Sequence, residues 1–279
     1  MDTLIALLGC GSIGTEIIKS IKKGEIPHAK VVAIVDRREH AVEEVLGKLD
    51  VHGIQIFFDF QNFLNSSLFS FVDIIVEAAS QMAVRNYGRK ILEFGKRFLV
   101  LSTGVFADPI LLKEFVTLAE EKNAKIVIPT GAIAGIDMIR SVKKNLTSLS
   151  ITTTKNPIAL SGAPFFSSSK IKPETIACKT LLYEGSAEDA ILMFPANVNV
   201  AVTLALAGLG LKRTEVRVIA DPDIKINQHE ILASGNFGDI HIIVRNNPMV
   251  ENPRTSMVAA LSAIESLRSL CYDTFRIGS

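Results

Sequence analysis

Apolar residues along the first 130 positions alternate between two spacings. Thr3–Leu8 is a short apolar run that ends in glycines, and Thr15–Lys23 then places Ile17, Ile18 and Ile21 on one helical face. Lys30–Val35 is β-branched and bounded by charge, which predicts a strand buried on both faces. Ala41–Leu49 reads as a helix, Val72–Val76 as a third strand and Ala83–Phe94 as a helix. Arg97–Leu101 follows as a fourth strand, Pro109–Lys122 as a helix and Lys125–Ile128 as a fifth strand. Strand and helix alternating in this way imply an α/β domain with a parallel sheet covered by helices on both faces.

The spacing changes after about Ile133. Leu149–Thr154 alternates as a strand, and Asn156–Lys172 is rich in Ser, Pro and Gly and reads as a surface excursion. Val200–Ala207 is apolar and reads as a helix. Thr214–Ala220, Glu230–Gly235 and Gly238–Arg245 alternate as strands of an antiparallel sheet. The division expected is a first domain over residues 1–131 and a second, α+β domain with a mixed or antiparallel sheet over 132–252. A last helix in 253–279 carries Met257, Leu261, Ile264 and Leu267 at helical spacing. That stripe needs a partner, so the helix is expected to pack back on the first domain.

Composition narrows the function classes. Lys plus Arg is 30 and Asp plus Glu is 29, a balance unlike that of a protein built to bind nucleic acid or an anionic membrane. The longest apolar stretch, Phe194–Leu211, is interrupted by Pro195, Asn197 and Asn199 and falls short of a membrane span. The N-terminus reaches its glycines too early, and without a basic leader, to be an export signal. Cys10, Cys178 and Cys271 fit neither a disulfide framework nor a metal-ligand spacing, so reduced thiols in a cytoplasmic protein without a metal are expected.

Gly9-Cys10-Gly11-Ser12-Ile13-Gly14 is a GxGxxG that follows one predicted strand and opens a predicted helix. The first glycine permits the tight turn, the second lets a pyrophosphate approach the backbone, and the third lets helix and strand pack closely. Amides at the helix start, from Ser12 and Ile13 onward, then face the phosphates. The second strand ends at Asp36, where an acid accepts hydrogen bonds from an adenosine ribose diol. Arg37 and Arg38 follow at once and could instead hold a 2′-phosphate. The pattern points to a Rossmann domain that binds NAD and also accepts NADP. Small residues at the strand ends, Ala78-Ala79-Ser80 and Ser102-Thr103-Gly104, leave room for a cofactor and serve ordinary turns equally well.

Of the five histidines, His28, His40 and His52 sit in polar, helix-flanking or loop contexts, and His241 belongs to a strand. His229, in INQHEI just before a strand, has by itself only the standing of a structural histidine.

Several segments in fixed order carry more information. They are GCGSIG (9–14), VEAASQ (76–81), LSTGVFAD (101–108), PTGAIAGID (129–137) and EGSAEDA (184–190). FPANVNVAVTLALAG (194–208), VRVIADP (216–222), NQHEI (227–231) and NPMVENPRTSM (247–257) follow. Through them the chain resembles the L-aspartate dehydrogenase family nearly end to end. FPANVNVA and ENPRTSM are the most specific, and Asn156–Lys172 carries no trusted pattern.

The resemblance implies a homodimer that oxidises L-aspartate with NAD(P) through iminoaspartate, which hydrolyses to oxaloacetate and ammonia or feeds pyridine nucleotide (NAD) biosynthesis. It makes His229 the catalytic residue and places Asn199 and Ala132 at cofactor-contacting positions, although a packing alanine fits Ala132 equally well. A histidine suits proton transfer near neutral pH, and an asparagine can both donate to and accept from a carboxamide. The two substrate carboxylates need donors, for which Lys155, Arg254 and backbone amides are candidates. Related architectures fit less well. A homoserine dehydrogenase lysine pair cannot be placed. The paired histidines of dihydrodipicolinate reductases are absent, and so is the Glu-Lys-Pro of sugar dehydrogenases. A nucleotide-sensing module without turnover shares the fold, but His229 and Asn199 speak against it.

Overall fold

The computed structural model describes residues 2–195, 199–249, 252, 255–272 and 274. The chain forms two compact units, one running to Pro129 and resuming at Ala260, the other spanning Thr130–Ala259.

The first unit is built on six parallel strands. These are β1 (Thr3–Leu8), β2 (Ala29–Val35), β3 (Gln55–Phe57), β4 (Ile74–Glu77), β5 (Arg97–Val100) and β6 (Lys125–Val127), in the order β3-β2-β1-β4-β5-β6. The order runs outward from β1 in both directions, so the strand sequence reverses between β1 and β4. Ile5, Ala6, Leu7 and Leu8 are all buried, as a strand covered on both faces requires. Helices α1 (Ser12–Lys22), α2 (Glu39–Leu49), α3 (Phe60–Asn65), α4 (Ser67–Phe71), α5 (Gln81–Glu93) and α6 (Pro109–Glu121) connect the strands.

The edge strand β3 and helices α3 and α4 have no counterpart in the hydrophobic pattern, which makes Val72–Val76 the fourth strand of the chain. Elements of three to six residues are too short to show a period. Aromatic packing holds them: Phe63 meets Phe57, Phe60 and Phe69, and Phe60 stacks on Tyr87 at 4.5 Å. Asp59 caps α3 by accepting from the Asn62 N–H.

The second unit holds a five-stranded sheet. Its strands are β7 (Leu146–Lys155), β8 (Thr180–Ser186), β9 (Glu215–Ala220), β10 (Asn227–Gly235) and β11 (Gly238–Asn246), in the order β11-β10-β7-β9-β8. The sheet is mixed, because β7 and β9 run parallel while the other pairs are antiparallel. Helices α7 (Ile136–Val142), α8 (Pro164–Ser168), α9 (Ala187–Met193) and α10 (Asn199–Ala207) complete it. Alternation along β7, β9 and β10 buries Leu149, Ile151, Val216, Val218, Ile231 and Ala233.

The segment Asn156–Lys172 is more than a surface excursion. It folds into a 3-10 turn over Pro157–Leu160 and helix α8, and it buries Pro157, Leu160 and Ala163. Proline at the first position of each turn hides these elements from a reading that takes proline as loop.

The last helix, α11, is Met257–Cys271. Ala263 and Leu267 join Ile5, Leu7, Ile17 and Ile34 in the first unit's core, and Arg97 donates to the Leu270 carbonyl at 2.8 Å. The buried stripe runs through Ala260, Ala263 and Leu267, whereas Leu261 faces solvent. Small residues on the packed side let the helix approach the sheet closely; of the bulky residues at helical spacing, Leu267 and Ile264 reach the core and Leu261 does not. Among the described residues no helix is long and apolar enough to cross a membrane. None of their His, Cys, Asp and Glu side chains gather into a group of three that could hold a metal ion.

Candidate active site

In the first unit, Gly9, Gly11, Ser12, Ile13 and Gly14 lie between the end of β1 and the first turn of α1, beside the strand-order reversal. The three glycines answer to different constraints. Gly9 has φ +93°, and a Cβ there would stand 2.8 Å from the Ala78 carbonyl oxygen. A Cβ on Gly14 would stand 2.6 Å from the Gly9 carbonyl oxygen. A Cβ on Gly11 would meet no protein atom within 4 Å, and Gly11 has an ordinary φ of −82°. Gly9 and Gly14 are therefore required by the fold. Gly11 borders open space at a helix N-terminus, where a side chain would intrude on a bound phosphate.

Asp36 follows β2 directly. Its carboxylate accepts from the Cys10 N–H at 2.9 Å and the Arg38 N–H at 3.0 Å, and from the Arg38 guanidinium through two bonds of 3.0 and 2.8 Å. Burial pushes the carboxyl up, but the bonds from Arg38 and Cys10 outweigh it and hold it at about 2. The four bonds occupy the lone-pair positions of an ionised carboxylate, so a ribose diol must displace Arg38 to reach it. Ala79 and Ser80 stand at the end of β4. Ser80 caps α5 through the Ala83 N–H, and the Ala79 N–H is bound by the buried Glu77. The arrangement suits a dinucleotide: a close-approach glycine loop, helix-start amides and an acid at the second strand.

In the second unit one face of the sheet grades from apolar to polar. By strand register the row Ile242, Ile231, Ile151, Val216 gives way to Val244, His229, Thr153, Val218. The next row is Asn246 on β11, Asn227 on β10, Lys155 on β7 and Ala220 on β9. Asn246, Asn227, Lys155, His229 and Thr153 are all buried. His229 lies inside β10 rather than ahead of it, because that strand starts at Asn227, three residues earlier than the alternation indicated.

His229 Nδ1 is 3.0 Å from the Thr153 hydroxyl oxygen. Burial, and then the positive charge of Lys155, lowers its pKa to about 3, so the ring is neutral across the working range. Burial alone lowers Lys155 to about 8. His229 is already neutral where Lys155 titrates and so leaves that proton equilibrium undisturbed. When Nδ1 carries the proton and donates it to Thr153, Nε2 presents its lone pair as a base.

Asn246 donates to the Ala132 carbonyl at 2.7 Å, tying the Gly131–Ala132 turn to this polar end. A Cβ on Gly131 would stand 3.8 Å from Val200 of α10, the helix that Asn199 opens. Ala132, Asn199 and His229 are thereby gathered in one unit, while Gly9–Gly14, Asp36, Ala79 and Ser80 are gathered in the other. Arg254 lies outside the described residues. A cavity of about 770 Å³, lined in part by Asn156, Ser161, Lys225 and Asn227, opens beyond the ends of these strands.

The sequence pattern does not single out Thr153, Asn227, Asn246 or Glu77. The alternation did hold a signal for two of them: Asn227 shares a strand face with His229, and Thr153 shares one with Lys155.

The fold and glycine loop define a dinucleotide-binding protein whose second unit buries a neutral histidine beside a lysine. Comparison with known proteins gives the family. Residues 9–129 match the family described as homoserine dehydrogenase, NAD binding domain, and residues 137–270 match aspartate dehydrogenase, C-terminal. L-aspartate dehydrogenase of Methanosarcina barkeri is 43% identical over 267 residues, 95% of this chain and 96% of that one. The enzyme of the same name from Nitrosopumilus maritimus is 40% identical over 99% of both chains. The crystal structure of aspartate dehydrogenase from Thermotoga maritima aligns over all of both chains with a TM-score of 0.76 and 26% identity. The chain belongs to the L-aspartate dehydrogenase family, and its first unit is an NAD-binding domain.

Proposed function

We propose that the protein is an NAD(P)-dependent L-aspartate dehydrogenase, oxidising L-aspartate to iminoaspartate, which water converts to oxaloacetate and ammonia. The observation that carries the reading is the pair of adjacent buried rows holding His229 and Thr153, then Asn227 and Lys155, in a chain of this family. When bound, the nicotinamide nucleotide accepts the hydride from the amino-bearing carbon.

The chain's own residues divide the remaining work. Gly9, Gly11, Ser12, Ile13 and Gly14 receive the pyrophosphate, Asp36 the adenosine ribose, and Ala79 and Ser80 the far half of the dinucleotide. Ala132 and Asn199 supply further cofactor contacts. His229 takes the proton that the substrate amine must lose and returns it to the imine nitrogen; the neutral ring then takes a proton from the water that attacks the imine carbon, and the nitrogen leaves as ammonia. Lys155 offers its positive charge to a substrate carboxylate. Burial lowers the local dielectric and strengthens that attraction.

The reading extends to a cytoplasmic homodimer whose iminoaspartate can enter pyridine nucleotide synthesis, an extension supported by the family resemblance alone. The test is absorbance of the reduced nicotinamide, with NAD or NADP against a panel of L-amino acids. Aspartate-dependent reduction is expected. His229→Ala should lower turnover by about 10²–10⁴-fold with NAD affinity nearly intact. Full turnover in that variant would remove His229 from the chemistry.

A further inference from the structure

Glu77 closes β4, is completely buried and takes no part in the chemistry above. Its carboxylate is surrounded by donors from two loops. One oxygen accepts from the Ala79 N–H and from the Ser102 hydroxyl, each at 2.8 Å. The other accepts from the Ser102 N–H at 2.9 Å and the Leu101 N–H at 3.3 Å. The Ser80 N–H adds a further bond. Burial pushes the carboxyl up and these donors pull against it.

Ala79 and Ser80 belong to the loop after β4, and Leu101 and Ser102 to the loop after β5. The first loop is also the wall of the glycine turn. The Ala78 N–H donates to the Leu8 carbonyl at 2.9 Å, and a Cβ on Gly9 would stand 2.9 Å from Ala79 Cβ. One buried carboxylate thus fixes two loops at the carboxyl edge of the sheet and, through Ala78 and Ala79, braces the glycine turn.

A dinucleotide lies across the reversal of strand order, with one half on each side of β1. Asp36 stands on the β2 side. The loops that Glu77 holds stand on the β4 side, where the nicotinamide half belongs. We propose that Glu77 is a positioning residue for the coenzyme, locking the loops after β4 and β5 in the form that receives the nicotinamide half. The inference rests on the dinucleotide reading given above.

Glu77→Gln is the informative variant. Its amide NH₂ must replace one carboxylate oxygen. Placed against Leu101 and Ser102 it would face two backbone donors. Placed against Ala79 it faces that one backbone donor, while the Ser102 hydroxyl can turn and accept. The second placement loses less, so the loop after β4 should come free while the loop after β5 stays tied.

Titration calorimetry with NAD and with AMP, which carries only the adenosine half, separates the outcomes. The dissociation constant for NAD is expected to rise about tenfold or more, with that for AMP within about twofold of wild type. Amide exchange at Ala79 and Ser80 should quicken, with Leu101 and Ser102 still protected. NAD affinity within twofold of wild type, or equal weakening of NAD and AMP, overturns the proposal and leaves Glu77 a purely structural group. If the variant does not fold, Ser102→Ala removes only the hydroxyl donor and should weaken NAD several-fold with AMP unchanged. Unchanged NAD affinity there also overturns it. Failure of the wild-type protein to bind NAD would instead sink the dinucleotide reading.

Discussion

Replacing Lys155 by methionine separates the chemistry of the second unit from the stability of the sheet that carries it. The side chain is fully buried at the end of β7, and burial lowers its pKa from 10.5 to about 8. That difference corresponds to roughly 3 kcal/mol of disfavoured charge. Between those two values the unfolded chain holds more protons than the folded one, so stability rises with pH. Lys155's contribution is fully present above the unfolded value near 10.5 and is lost as the pH falls to about 8. Methionine has similar length and no charge to bury.

The stability advantage of Lys155→Met over wild type should therefore be greatest at pH 8 and below, and shrink by about 3 kcal/mol on approaching pH 10.5. Working above pH 8 keeps His229 neutral in both folded and unfolded chains, so its lowered pKa does not add a second slope. Denaturant titrations at intervals across this range, for both proteins, give the difference directly. Aspartate turnover in the variant should fall about 100-fold, the loss expected of a hydrogen bond to a charged group. A stability difference that does not change with pH would refute the argument, because it would mean that the lysine is not charged against its surroundings.

Gly11→Ala should fold normally, since its Cβ would meet no protein atom and its φ suits alanine, yet weaken NAD at least tenfold. Equal melting temperatures with unchanged NAD affinity would show that nothing approaches Gly11. Arg38→Ala releases two of the four bonds on Asp36 and removes a partner for a 2′-phosphate. The ratio of kcat/KM for NAD over NADP should rise at least tenfold, and a constant ratio would show that Arg38 takes no part in the choice of coenzyme.

The sequence made some parts of this protein legible because they depend on neighbours in the chain. A tight turn, an open helix start and a buried strand each need particular residues at particular spacings, so GCGSIG and the first parallel sheet could be read directly. Asp36 was readable because it ends the second strand. Its two arginines were visible as well, but not that one of them already holds the carboxylate. Short elements escaped: β3, α3 and α4 are held by aromatic contacts between residues distant enough to leave no period.

The second unit shows the limit most clearly. Alternation marked four of its five strands, missing the edge strand β8, and could not say which lay side by side. His229 was set apart by family resemblance, and nothing local distinguished it from a structural histidine. Strand register decides its chemistry. Pairing β10 with β7 sets His229 against Thr153 and brings Lys155 to the next row, and burial by the surrounding fold then lowers both pKa values. Sequence alone determined the turns, strands and helices whose constraints are local. Partners in a sheet, and the solvent they exclude, come from residues far apart in the chain. Only the tertiary structure could therefore decide that Glu77 is a buried staple and that a histidine, a threonine and a lysine share one dry face.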